Sequence, residues 1–395
     1  MNASPFRLWL ARFQGGLRDV WTALGIALIV FLLLDWSYRS ATAISSARAS
    51  VPAVDSLLHP YRRAAWYPEF RQNLTSRHNH FDPYRSAWPD PVVSRYVNVD
   101  SAGRRRTPQP VPDAKGALHV VMLGGSVMWG FTSRDSFAIP VLVAARLASL
   151  GVPNVHVDNL AQAAFNSTQE QATLGLEVAH GRVPDFAVVL DGFNDIATAL
   201  AYREPGRTYA DDHINQQIQL GRRGFWGELV GLGRHSALIA KLQEKAGRRT
   251  PSSRRSNATI SATCGAAARY FARITVTATA VGRAYGFPII YFQQPQHVTG
   301  SKRLTAWERS LEKREGMREC ADSLDGAMTP HAGTTYFSLR SVFDADSVTR
   351  FVDANAHLTE EANAVVADRI ASTIAPMLRE RLARPGGTAN PTAAP

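Results

Sequence analysis

The run "HVVMLGGSVMWG", residues 119–130, is apolar until it meets two glycines and a serine. Glycine and serine form ordinary turns, so one reading is simply that a strand ends here. The other is chemical. Gly124 and Gly125 let the backbone bend sharply and present Ser126 at the carboxyl edge of a sheet, where ligands of α/β proteins bind. Three further polar stretches bear on the choice: "NLAQAAFNSTQEQ" (159–171), "DGFNDI" (191–196) and "FVDANAHLTEEAN" (351–363). A serine, a small-residue turn, an asparagine and a histidine in this order are what acyl transfer needs. The serine attacks, the histidine takes its proton, and N–H donors hold the oxyanion. Each piece alone also has a plain reading. His357, before Thr359, Glu360 and Glu361, fits a surface histidine at a helix start, and Asn194–Asp195 fits a helix cap.

Such side chains converge only if the elements before them lie side by side. Strands are expected at 118–123, 155–160, 185–191, 287–293 and 334–339. Helical patterns fall near 136–150, 168–180, 261–285 and 303–325, and a long last helix covers about 359–383. Short apolar runs alternating with longer amphipathic ones imply βαβ units. The expected fold is a three-layer α/β/α sandwich, flavodoxin-like, around a five-stranded parallel sheet covered on both faces. Each polar stretch then follows a strand, above one edge of that sheet.

On these motifs the chain resembles the SGNH (GDSL-type) hydrolases. "GGSVMWG" is similar to the first block in the membrane-anchored subgroup with GGS in place of GDS, which makes Ser126 the nucleophile. "DGFNDI" resembles the G-x-N-D block, with the Asn194 amide as an oxyanion donor. "HLTEEAN" resembles the last block, with His357 as the base. The resemblance spans about 117–383 and implies an oxygen-ester hydrolase working through an acyl-serine, with the Ser126 N–H as a further donor. It implies no metal and no cofactor.

Two departures stand out. The second block usually reads N-x-G-x-x-G, whereas this chain has Asn159, Ala161 and Ala164. The donor is a backbone N–H that alanine also possesses, so Ala164 is assigned to it, provided the turn does not demand positive φ. The family's D-x-x-H is also broken: Ala354 stands at the acid's offset, and Asp353 lies one residue further from His357. A one-residue bulge would let Asp353 serve as the acid, with Asp344, Asp346 or a Ser–His dyad as alternatives. "QQP" at 293–295 either lines the site or makes a turn, and Arg105 is either a surface arginine or a contact to an anionic or sugar substrate.

With 395 residues, 45% hydrophobic and 19% charged, the chain has the composition of a globular protein. Its charge of +11 comes largely from loop arginines such as "GRRRT" (103–107), and no nucleic-acid-binding motif accompanies it. A solvated basic surface beside a membrane is the reading adopted. An apolar run from Val20 to Leu34 within 20–38 reads as a transmembrane anchor, or else as a signal peptide cleaved at "ATA" (41–43) or "ARA" (47–49). Arg7, Arg12 and Arg18 precede it, so residues 1–19 are expected in the cytoplasm and the bulk outside it. Residues 40–115 read as an irregular stalk or cap, 116–384 as the hydrolase-like domain with an insertion at 196–260, and 385–395 as a disordered tail. Cys264 and Cys320 either form one disulfide or stay as buried thiols.

The expectation is therefore a membrane-tethered serine esterase acting on acetyl or another short acyl group of an envelope or secreted glycan, beside polysaccharide machinery. Its alternatives are an O-acyltransferase of surface polysaccharide, a lipase or thioesterase, and a catalytically decayed glycan-binding module.

Overall fold

The computed structural model describes residues 18–19, 21–23, 25–38, 59–109, 116–209, 211 and 257–383. Along the chain come α1 (Tyr67–Thr75), β1 (Asn79–Asp82), β2 (Ser86–Pro89), β3 (Leu118–Gly124) and the four-residue helix α2 (Ser126–Trp129). Next are α3 (Ile139–Ser149), β4 (Val155–Asn159), α4 (Ser167–Ala179), β5 (Phe186–Asp191) and α5 (Phe193–Tyr202). The remainder are α6 (Asn257–Tyr285), β6 (Ile289–Gln293), α7 (Ala306–Ser310), α8 (Met317–Met328), β7 (Tyr336–Ser338) and α9 (Glu360–Ala383).

Five strands pair in the order β4-β3-β5-β6-β7, all parallel. The order reverses between β3 and β5, and α/β sheets bind ligands at such a switch point. Along β3, Leu118, Val120 and Met122 face one apolar layer, shared with Ile139 and Leu147 of α3 and Val366 and Ile370 of α9. Val121 and Leu123 face the other, with Leu174 of α4, Ile196 of α5, Phe271 of α6 and Leu324 of α8. The period of two along a strand thus feeds two cores, which is why the strand sequences are apolar throughout. The three-layer sandwich expected from the alternation of runs is the one observed.

Three boundaries differ from expectation. The single helix expected at 303–325 is two, α7 and α8, separated by Leu311–Gly316. Leu311 turns extended (ψ 142°) and ends α7, and Gly316 takes φ 84° at the start of α8. Residues 59–109, expected to be irregular, contain α1 and the β1–β2 hairpin, and bury Phe70, Val97 and Val99 in the first core. The break expected at 196 falls inside α5, whose Ile196 and Ala199 are buried; residues 212–256 of that stretch, the termini 1–17 and 384–395, and residues 39–58 lie outside the described residues.

The amino-terminal helix Trp21–Tyr38 belongs to a unit separate from the sheet domain, and length and composition suffice for it to cross a membrane, a test that a signal sequence also passes. Within the sheet domain Cys264 of α6 and Cys320 of α8 form a disulfide, both side chains buried. They lie 56 residues apart, and closing a loop of that length removes enough unfolded-state entropy to contribute about 3–4 kcal/mol. Replacing both with alanine is expected to lower stability by about that amount, read as a lower urea midpoint with a steeper slope, because the unlinked chain exposes more surface on unfolding; an unchanged midpoint would contradict the assignment.

Candidate active site

Ser126 opens α2 immediately after β3. Gly124 has φ 154°, and a Cβ there would come 2.6 Å from the Leu190 carbonyl oxygen and 2.7 Å from Met128 Cβ. A Cβ on Gly125 would come 2.4 Å from Asn194 Nδ2 and 3.2 Å from the Phe165 carbonyl oxygen. Both glycines are therefore sterically required. The bend brings the backbone beside Ser126 against the asparagine block and the turn after β4 at once.

His357 Nε2 lies 2.8 Å from Ser126 Oγ, and His357 Nδ1 lies 2.6 Å from Asp353 Oδ2. A carboxylate only accepts, so Nδ1 carries the ring proton and Nε2 accepts from the serine hydroxyl. The other carboxylate oxygen, Asp353 Oδ1, accepts from the backbone N–H of Asn355 at 2.8 Å and of His357 at 3.4 Å. Burial acts to raise the Asp353 pKa, but the His357 hydrogen bond and charge together with these two N–H donors outweigh it and hold the carboxyl below its ordinary value. The extra residue between Asp353 and His357 is accommodated by Ala356, which takes φ 61°. The other two carboxylates considered are engaged elsewhere: Asp344 accepts from the Ser301 N–H at 2.7 Å and Asp346 from Arg350 Nε at 2.6 Å.

Asn194 Nδ2 donates to the Phe165 carbonyl at 2.7 Å, which fixes the amide and leaves its second proton available. Ala164 sits in the same turn and has φ 66°, so the turn does demand the left-handed conformation that a glycine would take without strain. Asn159, at the start of that block, bonds backward: its Nδ2 lies 3.4 Å from the Met128 and Trp129 carbonyls, and its Oδ1 accepts from the Ala161 N–H at 3.1 Å. Its partners are the end of α2 and its own turn.

Several contributors were not visible in sequence. Phe131 stacks on the His357 ring with centroids 4.9 Å apart. Arg105 is neither a surface arginine nor open to substrate; it is 1% exposed and bonds Asp135 and loop carbonyls after α2. Arg104 likewise turns inward, to Asp158 at 2.7 Å and Glu177 at 2.6 Å, so much of "GRRRT" is internal wiring. Gln293 of "QQP" braces β6 to β7, 2.8 Å from the Tyr336 hydroxyl. Among the described residues no group of three or more His, Cys, Asp and Glu side chains is arranged to hold a metal ion.

Behind the site lies a buried acidic cluster of Glu170, Asp191 and Asp195. Asp195 accepts from the Ser167 hydroxyl at 2.5 Å and the Ser167 N–H at 3.2 Å, capping α4. Glu170 faces Asp191 carboxyl to carboxyl, and among the described residues no nitrogen or hydroxyl donor reaches either Glu170 oxygen or Asp191 Oδ2. Burial, and then the nearby Asp195 charge, raise both Glu170 and Asp191 well above the ordinary carboxyl range.

Two outcomes are expected. A raised folded-state pKa means the fold holds protons that the unfolded chain releases near about pH 4, so this contribution to stability is full below that pH and is lost as pH rises through the folded value. The urea midpoint of Glu170→Gln should therefore gain on the wild type between pH 4 and pH 8; a gap independent of pH would show that Glu170 is ionised in the fold. Ala164→Gly keeps the N–H and removes the left-handed penalty, and is expected to raise stability by about 0.5–1 kcal/mol in chemical denaturation. A loss of stability there would mean that the turn does not hold positive φ.

No protein-family model matches the sequence, and no curated protein matches it. Among solved structures, the chain is similar to the acetyl xylan esterase AlAXEase, with 12% identity, 65% of this chain and 100% of that one covered, and a TM-score of 0.39. It is similar to a catalytic mutant of Axe2, an acetylxylan esterase from Geobacillus stearothermophilus, with 9% identity, 67% and 96% covered, and a TM-score of 0.39. It is also similar to TesA, with 12% identity, 66% and 98% covered, and a TM-score of 0.36.

Proposed function

We propose that the protein is a serine esterase that cleaves an oxygen ester through an acyl-Ser126 intermediate. The observation that carries this reading is the continuous relay Ser126 Oγ–His357 Nε2–His357 Nδ1–Asp353 Oδ2, at 2.8 and 2.6 Å. As Ser126 Oγ attacks the ester carbonyl, its proton passes to His357 Nε2. The resulting imidazolium is held in place by the Asp353 carboxylate, which stays ionised. The negative charge that develops on the carbonyl oxygen is taken up by the free Asn194 amide proton, the Ser126 N–H and the Ala164 N–H. The Ser126 N–H heads a helix and so has no acceptor within it. Collapse expels the alcohol, which receives the proton from His357. Water then repeats the sequence with His357 as base and releases the acid.

The substrate class we infer is a short acyl ester, acetyl foremost, on a glycan of the cell envelope or outside it. Its support is the resemblance of three of the four blocks and the amino-terminal helix Trp21–Tyr38, which would tether the domain at a membrane with its site on the far side from residues 1–19.

A fluorophosphonate probe should label Ser126 in the wild type, and Ser126→Ala should abolish both labelling and p-nitrophenyl acetate turnover. Asp353→Asn keeps the shape but leaves His357 without its acceptor, and is expected to lower kcat by about 10⁴. A wild-type protein inert to both probe and ester would overturn the esterase reading. Fast turnover with Asp353→Asn would remove Asp353 from it.

A further inference from the structure

The loop 130–135 joins the nucleophile to the histidine. At its start, the Gly130 and Phe131 N–H groups donate to the Ser126 carbonyl at 3.0 and 2.9 Å. In its middle, Phe131 stacks on His357 with an interplanar angle of 26°, and Thr132 Oγ1 donates to the Leu358 carbonyl at 2.7 Å. Near its end, Arg134 meets the Glu360 carboxylate through its N–H at 2.9 Å, Nε at 3.0 Å and Nη2 at 2.6 Å. The conformation of this loop thus sets the separation of Ser126 from His357.

Arg105 holds the loop from inside the protein. Its Nε donates to Asp135 Oδ1 at 2.9 Å, its Nη1 to the carbonyls of Trp129 (2.9 Å) and Gly130, and its Nη2 to the Ser133 carbonyl at 2.7 Å. The guanidinium carbon lies 4.3 Å from the Trp129 ring centroid. The Arg105 backbone is bridged to Asn159, whose amide reaches the same Trp129 carbonyl. Asp135 is itself fixed by the Asn98 amide at 2.7 Å. A buried cation persists where its donors are satisfied, and here the acceptors that satisfy it belong to the loop and, through the Trp129 carbonyl, to the end of α2 before it.

We propose that Arg105 is a positioning residue for the Ser126–His357 pair, acting through loop 130–135. Its kinetic consequence rests on the esterase reading of that pair. Lysine retains the charge, but its compact ammonium cannot bridge one carboxylate and three carbonyls as a planar fork does. Arg105→Lys should therefore loosen the loop without touching substrate.

The test compares wild type and Arg105→Lys at a temperature where near-UV circular dichroism shows both to be folded. Two quantities are read: p-nitrophenyl acetate kinetics, and the chemical shifts of the His357 ring protons, which the stacked Phe131 displaces. The variant is expected to lose about 10²-fold in kcat with KM little changed, the scale of a small misplacement of reacting groups, and its His357 ring shifts should move. If Arg105→Lys does not fold, Thr132→Val, which removes the bond to Leu358, is measured instead, with the same two changes expected at smaller size. A folded variant with wild-type kcat and unmoved His357 shifts would overturn the proposal while leaving the esterase reading intact. If the wild type neither labels nor turns over, the esterase reading falls, and the ring shifts alone decide whether Arg105 positions His357.

Discussion

One hydrogen bond, 2.8 Å between Ser126 Oγ and His357 Nε2, joins residues 231 positions apart. A serine hydroxyl attacks only when its proton has a base within reach, so this distance is the quantity the architecture must hold. No local interaction can hold it. Ser126 is placed by β3 and the glycine bend, whereas His357 is placed by the loop that leads into α9. The two meet because α3 and α9 share one core beneath the sheet and because loop 130–135 ties one segment to the other.

The loop carrying Asp353 and His357 is clamped in turn. Glu308 of α7, fully buried, accepts from Lys302 Nζ at 2.8 Å, from the Thr305 N–H at 2.8 Å and from the Arg350 N–H at 2.8 Å. Trp307 Nε1 donates to the Phe351 and Val352 carbonyls, both at 3.1 Å. These bonds fix the backbone up to the residue before Asp353. A carboxylate so deeply buried is tolerable because a cation and several N–H groups satisfy it.

Departures from local preference gather around the same site. Ala164 and Ala356 both adopt left-handed backbone, each at a cost of about 1–2 kcal/mol for a residue with a Cβ. One lies in the turn bonded to Asn194 and the other directly precedes His357. Three carboxyls crowd behind the sheet edge, and burial opposes the ionisation of two of them, Glu170 and Asp191. Strain of this kind persists only where the surroundings over-determine the geometry, and here the surroundings include the segment before β3. Tyr61 accepts the Glu360 N–H at 2.8 Å, Gln109 accepts the Val157 N–H at 2.8 Å, and Arg105 anchors the loop beside Ser126.

The alternation of apolar runs and amphipathic stretches was sufficient to read the layers and five strands of the sheet from the sequence. Periodicity is a local property, and burial on both faces writes it into every strand. Three of the four polar blocks were legible for the same reason, each lying next to a strand end; the fourth, 351–363, lies past β7 and leads into α9. Distances were not. That Asp353 faces His357 while Asp344 turns to the Ser301 N–H is decided by the folded loops, and whether Ala164 is strained depends on the turn that packs against Asn194. The pairing of Cys264 with Cys320 depends on two helices coming together, and the burial of Arg105 on a segment folding back over α2. These are contacts between residues remote in the chain. Residue types state which bonds are chemically possible, and only the folded backbone selects the partners that come within reach.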